Sequence, residues 1–322
     1  MAELLRTTYP YNILGLTAVA GISLYVIRRY FGGGVCYSKA RLDGKTAIIT
    51  GANTGIGLET AVDFAQRNGR VILACRSKDK GEAAVELVKK RSSNNNVLFM
   101  QLDLSSLESV RNFSARVLDS EAHIDILVNN AGVMACPYTK TADGFEMQFG
   151  VNHLGHFLLT NLLLDRMKEA PSARIVSVSS SAHGRGKINL DDLNSTKDYN
   201  SWGAYAQSKL ANILFTRSLA TRLEGTNVIA NTLHPGLIKT ELSKHVNVFL
   251  RAALTPLILF FKTTWQGAQT SIYCAVSEEM EGVSGQFLVD CKIVKPANPL
   301  ALDDNLADRL WEVSSEMVGL NN

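Results

Sequence analysis

The chain of 322 residues carries 33 lysines and arginines against 30 acidic residues, a net charge of +3. That length holds one large α/β domain and buries enough surface to fold without disulfides, while the nearly balanced, scattered charge offers no basic run and argues against nucleic acid as a partner. The five cysteines, Cys36, Cys75, Cys136, Cys274 and Cys291, form no CxxC pair and no zinc spacing, so free thiols and no metal are expected.

Tyr11 to Ile27 has no charged residue and is mostly Leu, Ile, Val, Ala and Gly, long enough to enter or span a thin bilayer. A cleaved signal peptide would want a basic leader, a shorter apolar core and a small-residue cleavage site. Here only Arg6 precedes the run, whereas Arg28, Arg29, Lys39 and Arg41 follow it. The reading is an uncleaved anchor with the rest of the chain on the cytosolic side. Gly32-Gly33-Gly34 and the polar stretch after it read as a flexible exit, dividing the chain into an anchor and linker over 1–40 and a folded domain over 41–322.

Thr46 to Thr50 is an apolar run of strand length, suited to a parallel strand covered on both faces. It runs directly into Gly51-Ala-Asn53-Thr54-Gly55-Ile56-Gly57 and an amphipathic stretch. A strand, a glycine turn and a helix start are what a dinucleotide phosphate needs, because glycines admit close backbone approach and the helix N-terminus offers free amides. The spacing is G-x-x-x-G-x-G, not the commoner G-x-G-x-x-G. A second strand, Arg70 to Cys75, ends at Arg76, where an NAD site would carry an acid for the ribose 2′-hydroxyl and where an arginine suits a 2′-phosphate. Lys78 and Lys80 follow, so NADP(H) is the expected cofactor.

Further strands are expected over Val97–Leu102, ending in Asp103-Leu104; Ile124–Val128, ending in Asn129-Asn130-Ala131-Gly132; Arg174–Val178, ending in Ser179-Ser180-Ser181; Val228–Leu233, ending in His234-Pro235-Gly236; and Gly285–Asp290. Helical periodicity covers Phe145–Lys168, Thr264–Val276 and Asp303–Val318. The first of these places a polar Asn152 in an apolar helix, where its amide needs partners. His153 and His156 beside it read as a packed or hydrogen-bonded pair, not as metal ligands. The long polar stretch from His183 to Trp202, with Asp191-Asp192, reads as surface structure at a site mouth. Val248–Phe261 is unusually apolar and broken by Pro256; at 14 residues it is too short to span a bilayer and is expected to form core or a mobile flap over a lipophilic site. Alternating strands and helices predict one doubly wound parallel sheet, a Rossmann-type α/β fold.

Tyr205-Ala-Gln-Ser-Lys209 puts a phenol and an ammonium one helical turn apart on one face. A nearby ammonium favours the phenolate, so the pair is an acid/base device with a tyrosine pKa expected to fall.

Taken in order, these motifs resemble the short-chain dehydrogenase/reductase family over roughly residues 43 to 290. The runs Ala74-Cys75-Arg76, Asn152-His153-Leu154-Gly155-His156-Phe157 and Ser208 to Thr216 are similar to its membrane-anchored retinol dehydrogenase branch, the 11 to 14 group. The resemblance implies hydride transfer between a nicotinamide and a carbonyl carbon, with Tyr205 as proton donor and Lys209 holding the ribose. It selects Ser180 from the serine cluster as the residue that bonds the carbonyl oxygen, with Ser179 as the competitor and Ser181 as a weaker one, and makes Asn152 the holder of a relay water. Cofactor contacts carry over to Gly51, Asn53, Thr54, Gly55, Ile56, Gly57, Arg76, Asp103, Leu104, Asn130, Ala131, Gly132, Tyr205, Lys209, Pro235, Gly236 and Thr240. The implied substrate is lipophilic, a retinoid or lipid aldehyde, taken at a membrane. A steroid or 3-oxoacyl substrate, or a non-catalytic NADP-binding protein, are the alternatives. The implied location is the endoplasmic reticulum membrane facing the cytosol, with a mitochondrial membrane as the alternative. Relatives assemble through the helices that carry Asn152 and Tyr205, which leaves a homo-oligomer open.

Overall fold

The computed structural model describes residues 32–238 and 261–320. The expected anchor at Tyr11–Ile27, Thr240, and nearly all of the apolar 248–261 stretch lie outside the described residues. Among the described residues no helix is long and apolar enough to cross a membrane.

Among the described residues eight strands form one sheet in the order β3-β2-β1-β4-β5-β6-β7-β8. They are β1 (Thr46–Thr50), β2 (Arg70–Cys75), β3 (Val97–Gln101), β4 (Ile126–Asn129), β5 (Ala173–Val178), β6 (Val228–His234), β7 (Phe287–Val289) and β8 (Lys292–Ile293). The first seven run parallel, with Ala47 opposite Val71 on one side and Ile126 on the other; only β8 is antiparallel. Ile48, Ile49, Ile72, Leu73 and Leu127 are fully buried because helices cover both faces.

Helices α1 (Gly55–Gln66), α2 (Lys78–Ser92) and α6 (Thr264–Val276) lie on one face, burying Phe64, Val88 and Ile272. On the other lie α3 (Leu107–Ser120), α4 (Gly155–Lys168), α5 (Ser201–Arg222) and α7 (Asp304–Met317). Trp311 of α7 closes that layer against Phe157 and Phe215, at ring separations of 4.9 and 5.6 Å. The strand order turns between β1 and β4, so the crevice above their C-terminal ends is where an open α/β sheet takes a ligand.

Two expectations need correcting. The glycine exit is not a loose linker where it is described: Gly33 and Gly34 pack against Asp290 and Cys291 too closely for any side chain, Cys36 N donates to Gln269 Oε1 at 3.1 Å, and Arg67 donates to the carbonyls of Ser38 and Ala40. The glycines are there for close approach rather than for freedom. The long helix expected over Phe145–Lys168 is not uniform either, because a five-residue π-turn, Gly150–Leu154, interrupts it just before α4.

Candidate active site

The glycine turn after β1 is shaped by collision. Gly51 has φ +66°, and a Cβ there would sit 2.9 Å from Ala131 Cα. A Cβ at Gly57 would lie 2.6 Å from the Gly51 carbonyl. Thr54 precedes α1 without capping it through its side chain, and the first turn holds no acid. The opening amides therefore face the crevice unpaired, an anion site made of backbone. Asn130 ties the floor together, its Nδ2 donating to the Thr50 carbonyl at 2.8 Å.

Beyond the ends of β4 and β5, four side chains from three elements converge. Tyr205 and Lys209 stand on α5, both buried at 4% exposure, with the ammonium 5.8 Å from the phenol ring centroid. Lys209 Nζ donates to the Val178 carbonyl at 3.0 Å, and the loss of solvation pulls its pKa down to about 8. Ser180 follows β5 near the Tyr205 hydroxyl, and its own hydroxyl accepts from Ala182 N. Ser179 points away, its hydroxyl donating to the Lys209 carbonyl at 2.7 Å. Asn152 sits in the π-turn, where Gly155 N bonds to the Gly150 carbonyl five residues back. Its Nδ2 donates to the Val133 carbonyl and to Ser208 Oγ, each at 2.9 Å, and its Oδ1 accepts from Val133 N. Such π-turns re-aim side chains and recur at functional sites.

The expected fall in the Tyr205 pKa is reversed. Burial pushes the phenol above its usual value, and the nearby Ser180 hydroxyl opposes this without overcoming it. The phenol therefore keeps its proton at neutral pH.

These motifs have close counterparts. The profile described as short chain dehydrogenase matches residues 45–249. Human retinol dehydrogenase 13 is 49% identical over 321 residues, spanning 98% of this chain and 96% of its own length. Bovine retinol dehydrogenase 12 is 50% identical over 313 residues, 96% and 98% of the two chains. A crystal structure of an uncharacterized protein from Mycobacterium paratuberculosis superposes with a TM-score of 0.73 at 38% identity, covering 89% of this chain and 98% of that one. The chain belongs to the short-chain dehydrogenase family.

Within the family it falls in the retinol dehydrogenase branch, and it is an oxidoreductase acting on CH–OH groups. The family uses a nicotinamide cofactor, and the residues present fit one. The backbone cradle suits a pyrophosphate. Gly132 borders a gap that a side chain would fill, since a Cβ there would meet Asn152 Oδ1 at 3.1 Å and Lys209 Nζ at 3.5 Å. Around the adenosine end, Arg76 stands exposed past β2, beside Ser77, which leaves the start of α2 without a side-chain cap. Asp103 Oδ1 accepts from Ser105 N and Oγ at 2.9 and 2.6 Å, holding the turn that carries the buried Leu104. Pro235-Gly236 follows β6, with Gly236 at φ +99°.

Two residues of this site escaped the sequence reading. Thr50 Oγ1 accepts from both Asn130 N and Ala131 N at 2.9 Å. It meets His156 Nε2 at 2.9 Å, and His156 Nδ1 meets the Asn152 carbonyl at 3.1 Å. Burial holds the imidazole down to about 4, so it stays neutral. With Thr50 donating to Nε2, the proton sits on Nδ1 and is given to Asn152. The signal was a threonine ending an apolar strand. His153 is a different case: its ring is buried among Phe149, Phe157 and Phe215, and Nε2 lies 2.8 Å from Ser314 Oγ.

Proposed function

We propose that this chain is an NADPH-dependent reductase of retinal and related lipid aldehydes, working at a membrane with its folded domain in the cytosol, at the endoplasmic reticulum. The observation that carries the chemistry is the convergence of buried Tyr205 and Lys209, with Ser180 just past the end of β5, beside the gap lined by Lys209 and Asn152. The names of the relatives supply the substrate class, and the uncharged run at Tyr11–Ile27 supplies the membrane.

When bound, the reduced nicotinamide supplies the hydride. Ser180 orients the carbonyl oxygen and Tyr205 gives it a proton. Among the described residues the Lys209 ammonium has one protein acceptor, leaving donors for the ribose, and its charge stabilises the phenolate that forms. Asn152 and Ser208 steady the helix under Tyr205 and offer a path by which a water restores the proton. Gly51, Asn53, Thr54, Gly55, Ile56 and Gly57 hold the pyrophosphate, Asp103 and Leu104 the adenine side, Asn130, Ala131 and Gly132 the floor, and Pro235, Gly236 and Thr240 the nicotinamide side.

Arg76 gives the 2′-phosphate its cation. A hydrogen bond to a charged group contributes about 1.5–3 kcal/mol, about 10- to 100-fold in affinity. Arg76→Ala is therefore expected to raise KM for NADPH by about that factor while leaving KM for NADH unchanged; equal effects on both would refute the assignment. The lysine pKa of about 8 sets a pH dependence. Lys209 is charged below that value and neutral above it, so kcat/KM for reduction should fall as pH rises through about 8, and a flat profile from pH 6 to 9.5 would count against its role. A panel of all-trans-retinal, nonanal and a ketosteroid with NADPH, on membranes containing the chain, tests the substrate class. Preference for the ketosteroid would overturn it.

A further inference from the structure

Lys262 joins described residues on the two sides of 239–260. Lys262 N donates to the Leu237 carbonyl at 2.8 Å, and Ile238 and Lys262 form an isolated parallel bridge. The lysine side chain then runs back over Gly236, where an added Cβ would lie 2.7 Å from Cδ and 2.8 Å from Cε. Its ammonium pairs with Asp290, the lysine side chain at 6% exposure and the aspartate at 43%. Asp290 belongs to the turn between β7 and β8, where it and Cys291 both take left-handed backbone, at φ +53° and +58°. Gly33, just past the expected anchor, fits against both members of the pair only because it has no side chain.

The same ammonium faces His234 at the end of β6. Burial first, and the Lys262 charge second, hold that imidazole down to about 4. Kept neutral, His234 Nδ1 accepts from Ser181 N at 3.2 Å, next to Ser180. One residue thus bonds to Leu237 through its backbone and lies against the Pro235-Gly236 turn and the entry of the N-terminal segment, and its charge acts on His234 next to the serine strand end. A buried ammonium is costly, and Lys262 has a half-exposed carboxylate as its counter-charge, so stability alone is a poor reason for it.

We infer that Lys262 is a positioning residue that seats the Pro235-Gly236 turn under the nicotinamide half of the cofactor, braced by Asp290 and Gly33. The inference rests on the NADPH-dependent reading above. Lys262→Met keeps the aliphatic packing and leaves Asp290 partly solvated. Asp290→Asn keeps the left-handed turn, which asparagine tolerates, and removes the counter-charge.

The test uses the full-length chain in detergent micelles, with two probes. Adenosine 2′,5′-bisphosphate reads the adenosine half alone, and nicotinamide fluorescence of bound NADPH reads the other half without any turnover. Lys262→Met is expected to leave the adenosine bisphosphate Kd within about twofold, to abolish the fluorescence enhancement and to lower kcat about tenfold. Lys262→Arg should restore both, and Asp290→Asn should reproduce the fluorescence loss. Normal fluorescence in Lys262→Met would overturn the inference. So would a parallel loss of both affinities and of Tm, the mark of a merely structural role. If the wild-type chain binds NADPH yet reduces no carbonyl compound, the functional reading fails while the fluorescence comparison still decides Lys262.

Discussion

Tyr205→Phe is expected to lower kcat/KM for carbonyl reduction about a thousandfold, with NADPH affinity and Tm nearly unchanged. The magnitude follows from the range of about 100- to 10,000-fold for a positioned general acid. The direction follows from the site. The phenol is buried, protonated at neutral pH and close to Ser180, and no other acidic proton in the described part of this cluster is aimed at the same place. Phenylalanine fills the same volume, and Ser180 keeps its contact with Ala182 N, so the fold has no reason to respond. Parallel kinetics and thermal melts read the two effects separately. Loss of stability together with activity would mean that the tyrosine was a packing residue.

Lys209→Met should lower activity by about a hundredfold or more while raising Tm. The ammonium sits at 4% exposure, with its pKa pulled down to about 8 by lost solvation, a sign that the charged form is costly there. Its one protein acceptor among the described residues, the Val178 carbonyl, also accepts from Asn212 Nδ2 at 3.2 Å. Methionine therefore leaves no orphan and removes a desolvated charge. Catalytic power lost and stability gained in one substitution is the pattern of a residue kept for chemistry. A variant that loses both would assign Lys209 to the scaffold.

The parallel strands were legible because burial on both faces leaves unbroken apolar runs, as in Thr46–Thr50 and Arg70–Cys75. The glycine turn was legible because only glycine meets the close approach to Ala131. Strand ends moved by a residue or two, and β8 was missed, since two paired residues leave no period to read. The π-turn was hidden for a related reason: five residues of wider winding leave the apolar pattern of the flanking helix intact. The direction of the Tyr205 shift was misjudged because spacing along a helix reports the neighbour's charge and says nothing of solvent. Lys262 looked like any lysine after an apolar stretch, and Gly33-Gly34 like any linker. Their meeting at Asp290 depends on strands far apart in sequence.

The central claim is hydride transfer from NADPH to the carbonyl carbon of retinal with a proton from Tyr205. Membranes containing the full chain, given all-trans-retinal and NADPH deuterated at the transferable C4 position, should yield retinol carrying one deuterium at the carbinol carbon, and Tyr205→Phe membranes should yield almost none. Unlabelled retinol, or labelled retinol at equal rate from the Tyr205→Phe protein, would contradict the account.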